Sequence, residues 1–371
     1  MNIGFDAKRA FHNTTGLGNY SRDLIRILSN FYPDNQYFLY SPKPKKVNRL
    51  SLEINMHEIL PDKKIWKKLS SYWRQKPIVS QLKKDDLTIF HGLSGELPIN
   101  INKTEIKTVV TIHDLIFVRY PELYSYFDRK IHYKKFKHAA KVADKVIAIS
   151  EQTKRDIIEF LEIEPSKIEV VYQGCHNEFK IEKTSEEIQA VLQKYNVPKE
   201  FVLYVGTIEK RKNALSLIKA MKNVDVPLVL VGRKTKGYQQ EIDAYISEHK
   251  LQSKVIFLEK LTLFELSVLY QQAKLFVYPS IFEGFGIPII EALFSKTPVI
   301  TSTGSCFSEA GGKHSIYVEP YNVDELNQQI KKVLSSTELQ EEMKRKGIEY
   351  AQQFTDENVA KNVFNVYKSL Q

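Results

Sequence analysis

The chain has 371 residues, of which 43% are hydrophobic and 26% are charged. This composition excludes disordered, collagen-like and coiled-coil proteins, and the length suits two domains of roughly 150 to 200 residues. Residues 1–178 carry 29 basic and 21 acidic side chains, which is +8 of the net charge of +10, whereas the remaining residues carry 25 and 23. We therefore expect the first half to face something anionic, or a charged surface, more than the second half does.

The sequence also predicts the compartment. Its opening residues show no cationic leader followed by an apolar run, and no stretch approaches 18 uninterrupted apolar residues. Neither a secretory signal nor a membrane span is therefore predicted. The two cysteines, Cys175 and Cys306, lack the spacing of metal ligands or of a redox pair. This cysteine usage is typical of a reducing compartment, so we expect a cytoplasmic protein.

Short β-branched and aromatic runs alternate with helical patterns along the chain. The first group of predicted strands covers residues 2–7, 37–41, 87–92, 107–114, 145–150 and 168–174, with a helix from about Gly18 to Leu28. The second group covers residues 201–206, 227–232, 255–260, 275–280, 298–302 and 316–320, with a helix over 213–222. This alternation predicts an α/β protein with two doubly wound, Rossmann-like domains. We expect the two domains to face each other across a ligand-binding cleft.

The domain limits follow from a polar stretch without periodicity near residues 175–185. We assign residues 1–178 to an N-terminal domain and residues 179–352 to a C-terminal domain. Two final helices, at 337–352 and 356–369, have no strand after them. The last helix has apolar residues at helical spacing, so segment 353–371 could pack on either domain and could cross back to the N-terminal one.

The sequence over 280–300 has the features of a phosphate-binding turn. A predicted strand is followed by Gly284 and Gly286, which allow a tight turn, and by Pro288, which the first turn of a helix tolerates. A helix that begins near Ile287 would direct its free N–H groups and the positive end of its dipole at an anion.

Glu283 precedes the glycines and Glu291 lies about one turn inside this helix, so the two carboxylates would bracket the anion without touching each other. A carboxylate accepts hydrogen bonds from a vicinal diol, which suits a sugar on one side and a ribose on the other. The alternative is a plain strand-to-helix turn with solvated glutamates.

A second strand-end loop follows residues 201–206 and ends in Arg211 and Lys212. Asn213 is the predicted N-cap of the next helix. Two cations before a helix N-terminus are unfavourable, but a ligand diphosphate would reverse this effect because Arg grips it bidentately and Lys adds a point charge. The alternative, a solvated basic turn, is our interpretation for Lys210.

The turn after the first strand contains Gly16 and Gly18. It begins like a dinucleotide-binding fingerprint, but Ser21 occupies the sixth position and no acidic residue ends the second strand, which weakens a nicotinamide assignment. Either the backbone approaches a ligand here or the glycines form a bare tight turn. His113 follows a strongly β-type run, so it would lie at a strand end beside the substrate; a core histidine is the alternative.

Several motifs are absent. The sequence contains no Asp-x-Asp, HxH, CxxC, Walker loop or GxSxG motif. We therefore expect neither a metal nor a cofactor. The charge of a leaving group would be neutralised by Arg211, Lys212 and the helix N-terminus.

Motifs over nearly the whole chain resemble those of bacterial GT-B glycosyltransferases of family 4, also called group 1, and within it mannosyltransferase-like members. The most specific of them is the E-x7-E spacing of Glu283 and Glu291. The matching segments are TGLGNY (15–20), FHGLSGELP (90–98), TIHD (111–114), IAISEQTK (147–154), YVGTIEKRKN (204–213), FEGFGIPIIEAL (282–293) and SEAGG (308–312).

The resemblance makes residues 1–178 the acceptor-side domain and residues 179–352 the nucleotide-sugar-binding domain, and it implies a role for each site residue. Glu283, with the backbone amides of Phe285 and Gly286, would hold the donor sugar, Glu291 the ribose, and Arg211 and Lys212 the diphosphate. His113 would lie beside the transferred sugar, Gly16 and Gly18 near the phosphates, and the region from Leu258 to Leu261 beside the base. Thr207 stands where some members have a further Arg. The predicted catalytic residues are His113, Glu283, Arg211 and Lys212; the predicted donor-binding residues are Gly16, Gly18, Gly206, Arg211, Lys212, Leu261, Glu283, Gly284, Phe285, Gly286, Ile287 and Glu291.

The resemblance also implies a retaining, metal-independent transfer of a hexose from a nucleoside-diphosphate sugar to a glycan or lipid-linked acceptor in surface polysaccharide synthesis, such as that of lipopolysaccharide. Similarity to mannosyltransferase-type members favours GDP-mannose, with UDP-glucose and UDP-N-acetylglucosamine as alternatives. A nucleotide-sugar epimerase is a further alternative. The pI of about 9.2 allows a nucleic-acid-binding protein, although no recognition motif accompanies the basic residues.

Residues 43–84 combine Lys and Arg with the apolar and aromatic side chains of Ile65, Trp66, Leu69, Tyr72 and Trp73. One interpretation is a basic amphipathic face that meets anionic lipid headgroups at the inner face of the cytoplasmic membrane, or a lipid-diphosphate acceptor. The other is a solvated set of lysines with the aromatic rings turned into the core.

Overall fold

The computed structural model describes all 371 residues, and its contacts divide the chain into two units. The first unit comprises Met1–Gln173 and Asp356–Gln371, and the second comprises Gly174–Thr355. Each unit contains one parallel sheet whose strands are joined through helices. The predicted α/β class with two doubly wound domains is confirmed.

Seven parallel strands form the sheet of the first unit. They are β1 (Asn2–Asp6), β2 (Gln36–Tyr40), β3 (Met56–Ile59), β4 (Ile89–Gly92), β5 (Lys107–Ile112), β6 (Lys145–Ala148) and β7 (Ile168–Val170). Their order is β3-β2-β1-β4-β5-β6-β7, so the direction of winding reverses between β1 and β4. In doubly wound sheets, ligands bind outside the carboxyl ends of the strands at this reversal.

The first unit has eight helices before the second unit begins. They are α1 (Lys8–His12), α2 (Gly16–Phe31), α3 (Lys64–Lys68), α4 (Ser70–Gln75), α5 (Ile78–Lys84), α6 (Ile116–Arg119), α7 (Tyr126–Val142) and α8 (Glu151–Leu161). Helix α2 buries Leu24, Ile25 and Leu28 in one cluster with Ile3 and Phe5 of β1. Burial of each such side chain contributes about 1.5 to 3 kcal/mol, and this packing fixes the loop between β1 and α2.

Six parallel strands form the sheet of the second unit. They are β8 (Val202–Val205), β9 (Leu228–Val231), β10 (Val255–Leu258), β11 (Leu275–Tyr278), β12 (Val299–Ser302) and β13 (Ile316–Val318). Their order is β10-β9-β8-β11-β12-β13, which reverses between β8 and β11. All residues of β9, β11 and β12 are buried, as expected for strands covered on both faces.

Eight helices belong to the second unit. They are α9 (Ser185–Tyr195), α10 (Ala214–Ala220), α11 (Lys236–Glu248), α12 (Leu263–Gln272), α13 (Ile287–Phe294), α14 (Phe307–Gly311), α15 (Val323–Ser335) and α16 (Thr337–Ala351). A 3-10 turn over Lys210–Lys212 precedes α10.

The last helix, α17 (Asp356–Lys368), packs on the first unit. Its apolar face joins the core cluster of β1 and α2. The rings of Phe364 and Tyr32 stack with centroids 3.7 Å apart, and Arg26 pairs with Asp356 at 2.9 Å.

Both unit boundaries differ by a few residues from the predicted limits at 178 and 352. Phe179 is fully buried and packs against Tyr270 of α12 with ring centroids 5.5 Å apart, so the chain enters the second unit after Gln173. Phe354 packs against Phe285 at 5.7 Å, which keeps the residues up to Thr355 in the second unit.

One strand, β3, was not predicted from the sequence. Strand β3 lies inside the basic segment 43–84 and pairs with β2 at the edge of the sheet. His57 and Glu58 interrupt its apolar pattern and are only half-buried, because an edge strand does not have to be apolar on both faces. None of the helices combines the length and the apolar character that crossing a membrane requires.

Candidate active site

The loops after β8 and β11 meet where the second sheet reverses its winding. The backbone N–H of Ile281 donates to the carbonyl of Arg211 at 2.8 Å, and the hydroxyl oxygen of Ser280 lies 3.2 Å from the same carbonyl oxygen. These contacts bring the basic pair that precedes α10 next to the segment that precedes α13.

Glu283 is the centre of a buried ion cluster formed by these loops. Its Oε1 lies 2.9 Å from Nη1 of Arg211 and 2.5 Å from Nζ of Lys212. It also accepts hydrogen bonds from the hydroxyls of Ser280 at 2.6 Å and Tyr278 at 2.9 Å. The side chains of Glu283, Lys212 and Arg211 are only 12%, 14% and 16% exposed.

The cluster keeps Glu283 ionised. Burial alone would raise the pKa of this carboxyl, but Lys212 and Arg211 outweigh burial and, with the hydrogen bonds from Lys212 and Ser280, lower the pKa to about 2. Burial likewise opposes the charge of Arg211, yet the Glu283 carboxylate raises the pKa of that guanidinium above its ordinary value. Arg211 also pairs with Glu209 at 2.8 Å, whose side chain is 33% exposed.

Helix α13 begins at Ile287, where the sequence predicts it, directly after this cluster. Gly286 precedes it with φ 128°, in the region that favours glycine, and a Cβ there would lie 3.2 Å from Ala310 Cβ. The first turn contains Pro288 but no acidic residue and no side-chain cap. The positive end of the helix dipole therefore has no compensating side-chain charge in that turn, and an anion there would be stabilised.

Two residues that the sequence did not single out hold the loop between β11 and α13. The Ser305 hydroxyl accepts from the Glu283 backbone N–H at 3.2 Å and lies 3.0 Å from the Glu283 carbonyl. The Cys306 thiol donates to the carbonyl of Phe285 at 2.5 Å. Burial, and secondarily Glu283, raises the pKa of this thiol, so it stays protonated and available as a donor.

Glu291 belongs to a different hydrogen-bonded group. Its Oε2 accepts from the hydroxyl of Tyr270 on α12 at 2.9 Å. Burial, followed by the Glu291 carboxylate, raises the pKa of Tyr270 well above its ordinary value. Tyr270 therefore remains a hydrogen-bond donor that orients this carboxylate.

Two further predicted positions in the second unit are set by the backbone. Gly206 follows β8 with φ 157°, and its carbonyl lies so close to Gly232 that a Cβ on Gly232 would be 1.9 Å away. Leu261 is half-exposed beyond the end of β10.

Asn213 occupies the N-cap position of α10, but its side chain does not accept a hydrogen bond from a helix N–H as predicted. It donates to the carbonyl of Pro320 instead, and this bond connects the loop to the end of β13.

His113 lies at the end of β5 in the first unit and is neutral. Its Nε2 donates to the carbonyl of Leu93 at 3.0 Å, and its Nδ1 faces the amide of Gln173 at 3.3 Å. Burial lowers the pKa of His113 to about 4, against a smaller opposing effect of the Leu93 carbonyl. Both ring nitrogens are therefore engaged by the protein.

A buried polar chain, not predicted from the sequence, supports His113. The Tyr20 ring contacts His113 edge-on with centroids 4.5 Å apart, and its hydroxyl lies 3.1 Å from Thr111 Oγ1. Thr111 Oγ1 lies 2.8 Å from Nε2 of His91, whose Nδ1 lies 2.7 Å from the hydroxyl of Tyr367 on α17. The chain therefore connects β5 to the helix that returns from the far end of the sequence.

The two glycines at the start of α2 differ. A Cβ on Gly18 would lie 2.0 Å from the carbonyl oxygen of Asn13, so the fold itself requires a glycine there. A Cβ on Gly16 would meet nothing within 4 Å. Packing thus explains Gly18 as part of a tight turn, while Gly16 has open space beside it.

The basic segment 43–84 is not a single exposed face. Trp73 is 2% exposed, and the Arg74 side chain is 10% exposed in ion pairs with Asp6 at 2.6 Å and Glu96 at 2.9 Å. These two residues belong to the interior, because the carboxylate at the end of β1 needs a cation when it is buried. The remaining lysines of α3 are exposed.

The predicted site residues therefore fall into two groups. Arg211, Lys212 and Glu283 come together in the second unit, with Glu291 in the same unit. His113, Gly16 and Gly18 lie in the first unit. No group of three or more His, Cys, Asp or Glu side chains is arranged to hold a metal ion.

Two family models match this chain, one on each unit. Residues 14–179 match the model described as "Glycosyltransferase Family 4", and residues 185–350 match "Glycosyl transferases group 1". The chain belongs to this family of glycosyltransferases. It is thus a transferase enzyme, as the resemblance implied.

Relatives of this glycosyltransferase include enzymes of O-antigen synthesis. O-antigen chain mannosyltransferase B of Escherichia coli is 26% identical over an alignment of 398 positions that covers 100% of both chains. O-antigen chain mannosyltransferase RfbU of Salmonella typhimurium is 31% identical over 255 residues, which cover 67% of this chain and 65% of that protein.

The fold is GT-B. The crystal structure of Anabaena HepE in complex with UDP superposes with a TM-score of 0.75 and covers 99% of each chain at 17% identity.

Proposed function

We propose that this glycosyltransferase moves mannose from GDP-mannose to a glycan or lipid-linked acceptor in surface polysaccharide synthesis. The observation that carries the proposal is the buried cluster of Arg211, Lys212 and Glu283 at the start of α13, in a chain whose relatives are named O-antigen mannosyltransferases. The retention of anomeric configuration and the independence of metal belong to the same proposal.

The cluster suits the charge that develops during glycosyl transfer. Cleavage of the bond between the anomeric carbon and the diphosphate builds positive charge on the sugar ring and negative charge on the leaving group. Arg211 and Lys212 would neutralise the leaving diphosphate together with the N-terminus of α13, without a divalent cation. In this arrangement the diphosphate would replace the more exposed Glu209 as an ion-pair partner of Arg211.

The same geometry supports a mechanism without a covalent intermediate. Glu283 is a weak nucleophile towards an anomeric carbon, because two cations hold the pKa of its carboxyl at about 2. Glu283 would instead accept hydrogen bonds from the sugar hydroxyls, and Glu291 from the ribose diol. Direct front-face displacement by the acceptor then accounts for retention.

His113 has a positioning role in this proposal. Because Leu93 and Gln173 engage its ring nitrogens, it does not serve as the acid or the base at neutral pH. Its predicted contact is with the transferred sugar.

A UDP-sugar donor is the second candidate. The observation that favours it is the structural similarity to Anabaena HepE, which was solved with UDP and glucose as well as with UDP alone. Base and sugar are therefore the variables that the first experiment resolves.

The experiment is a thermal-shift panel with a chelator present, using GDP, GDP-mannose, UDP, UDP-glucose and UDP-N-acetylglucosamine. A ligand that binds only the folded state raises its stability by RT ln(1 + [L]/Kd). We expect GDP and GDP-mannose to raise the Tm of the wild type and not of Glu291→Ala. Tyr270→Phe is the matched control, because it loses the hydrogen bond to Glu291 but keeps the carboxylate.

A Tm shift only with UDP compounds would show that the donor is a UDP-sugar and not GDP-mannose. A shift that requires added Mg²⁺ would contradict metal independence. Release of GDP from GDP-mannose that depends on a mannose-terminated acceptor would support the transferase assignment, whereas conversion of the nucleotide sugar without acceptor would identify an epimerase. The anomeric configuration of the product, measured by NMR, tests retention.

A further inference from the structure

The buried polar chain beside His113 has one end in the interior of the first unit and one end that is partly exposed. The hydroxyl of Tyr367 on α17 lies 2.7 Å from Nδ1 of His91 on β4, and both residues are fully buried. Nε2 of His91 lies 2.8 Å from Oγ1 of Thr111, which is also fully buried. At the other end, the hydroxyl of the half-buried Tyr20 lies 3.1 Å from Oγ1 of Thr111.

The buried end determines the direction of these hydrogen bonds. His91 is neutral, since burial lowers its pKa to about 3, so its ring has one N–H donor and one nitrogen acceptor. The hydroxyl of Tyr367 has Nδ1 of His91 as its only polar partner, and leaving a buried hydroxyl proton without an acceptor is costly. Tyr367 therefore donates to Nδ1, which places the ring proton of His91 on Nε2.

The remaining hydrogen bonds follow in the same direction. The Nε2–H of His91 donates to Oγ1 of Thr111, and the Thr111 hydroxyl then donates to the oxygen of Tyr20. Burial raises the pKa of Tyr20, so its own hydroxyl stays protonated. Thr111 is the only polar group of the protein that contacts this hydroxyl. The Tyr20 proton is thus left for an acceptor that the protein does not supply.

The Tyr20 hydroxyl lies near the carboxyl end of β5, where a ligand of a parallel sheet is expected. Thr111 and His113 are two residues apart, the spacing that places side chains on one face of a strand. The rings of Tyr20 and His113 contact each other edge-on, with centroids 4.5 Å apart. Gly16, one turn before Tyr20 on α2, has open space beside it. A phenol is a single neutral donor, which suits a neutral oxygen such as that of a sugar.

We propose that the hydroxyl of Tyr20 donates a hydrogen bond to an oxygen of a sugar that binds beside His113. His91 and Thr111 are positioning residues, because they direct the Tyr20 proton at the sugar without touching it. Since the chain of donors starts at Tyr367, α17 contributes to sugar binding from a distance. The inference rests on the proposed function, because the sugar belongs either to the nucleotide donor or to the acceptor.

The test measures kcat and KM of Tyr20→Phe with the nucleotide sugar that raises the Tm of the wild type and with a mannose-terminated acceptor. We expect kcat/KM to decrease about 2- to 12-fold, the effect of one neutral hydrogen bond, mainly through a higher KM. A higher KM for the nucleotide sugar assigns the contact to the transferred sugar, and a higher KM for the acceptor assigns it to the acceptor sugar. A purely structural defect would reduce the fraction of active enzyme, and therefore kcat, without changing either KM.

Substitutions of Thr111 separate positioning from packing. Thr111→Val removes the hydroxyl and should raise the same KM as Tyr20→Phe, whereas Thr111→Ser keeps the hydroxyl and should restore the wild-type value. The matched control is Tyr32→Phe, which also removes one hydroxyl. Tyr32 is the C-cap of α2, about 18 Å along the helix axis from Tyr20 at 1.5 Å per residue, so both KM values should stay unchanged.

The direction of the chain is measured without any ligand. NMR of the protein with ¹⁵N-labelled histidine shows which ring nitrogen carries the proton, and the signals of His91 are identified by their loss in His91→Gln. We expect the proton on Nε2. A proton on Nδ1 would overturn the inference, because the hydrogen bonds would then run from Tyr20 towards Tyr367.

Two kinetic outcomes would also overturn the inference: wild-type KM values for both substrates in Tyr20→Phe, or a Thr111→Ser variant as impaired as Thr111→Val. In both cases the wild type still shows its thermal shift with GDP or UDP, which is proposed to bind at Arg211 and Lys212 in the second unit. A wild type without that shift and without transfer activity would instead refute the proposed function, and with it the sugar as the ligand of Tyr20.

Discussion

Substitution of Glu283 by Gln tests whether the ion cluster of the second unit is held by charge. The substitution keeps the size of the side chain and its carbonyl oxygen but removes the negative charge between Arg211 and Lys212. Those two side chains are 16% and 14% exposed, so water cannot replace the lost carboxylate. The variant therefore leaves one carboxylate partner for the two buried cations, Glu209, which pairs with Arg211 alone.

The structure gives the size of the effect. The pKa of Glu283 falls from an ordinary 4.5 to about 2 on folding. At 1.36 kcal/mol per pKa unit this corresponds to about 3 kcal/mol of folding stability at neutral pH. Breaking a buried ion pair by removing one partner costs about 3 to 5 kcal/mol, which agrees. We expect the free energy of unfolding to decrease by about 3 kcal/mol.

The assay is urea unfolding at pH 7 and at lower pH. Because the pKa of Glu283 is lowered by folding, its contribution is complete above pH 4.5 and is lost as the pH falls towards 2. The difference between wild type and Glu283→Gln should shrink over that window. The control is Glu209→Gln, which removes a carboxylate that also touches Arg211 but is 33% exposed, and it should cost less than about 1 kcal/mol. Equal losses in both variants would refute the reasoning.

Three further predictions concern other parts of the chain. Tyr270→Phe should lower the free energy of unfolding by about 1 to 3 kcal/mol in urea, because the Glu291 carboxylate loses its hydroxyl donor; no loss would show that this bond is replaced. Burial lowers the pKa of His113 from 6.5 to about 4, so the unfolded chain takes up this proton first and the contribution of His113 to stability should fall by about 3 kcal/mol as the pH drops from 6.5 to 4; burial also lowers the pKa of His91 to about 3, so His113→Gln should flatten the pH profile of unfolding in this range without abolishing it. Gly232→Ala should prevent stable folding or lower the Tm strongly, since a Cβ would lie 1.9 Å from the Gly206 carbonyl, whereas Gly237→Ala, with nothing within 4 Å, should keep or raise the Tm.

The fold was predictable because the central strands of both units are buried on two faces. Such strands appear in the sequence as unbroken apolar runs, and β9 and β11 are examples. Strand β3 was missed because it lies at a sheet edge, where His57 and Glu58 are tolerated. The apolar spacing of α17 predicts that one face of this helix is buried, but not against which unit. That choice depends on contacts such as the one between Phe364 and Tyr32, which are far apart in the sequence and meet only in the folded chain.

The candidate site was predictable only in part, for a related reason. Glu283 and the pair Arg211 and Lys212 stand out because charged residues follow apolar strands and precede helices. The sequence does not mark Tyr278 and Cys306 as site residues, because a tyrosine or a cysteine near an apolar run is common in any protein core. Their roles arise from the sheet order, which places the ends of β8, β11 and β12 side by side.

One carboxylate connects the two halves of the proposed donor site. Glu283 holds the two cations that would receive the diphosphate, and the same carboxylate would accept hydrogen bonds from the sugar. The cations are therefore in place before the donor binds, which avoids the cost of ordering two long side chains during the reaction. A substitution at Glu283 cannot alter sugar recognition alone, because it also releases Arg211 and Lys212.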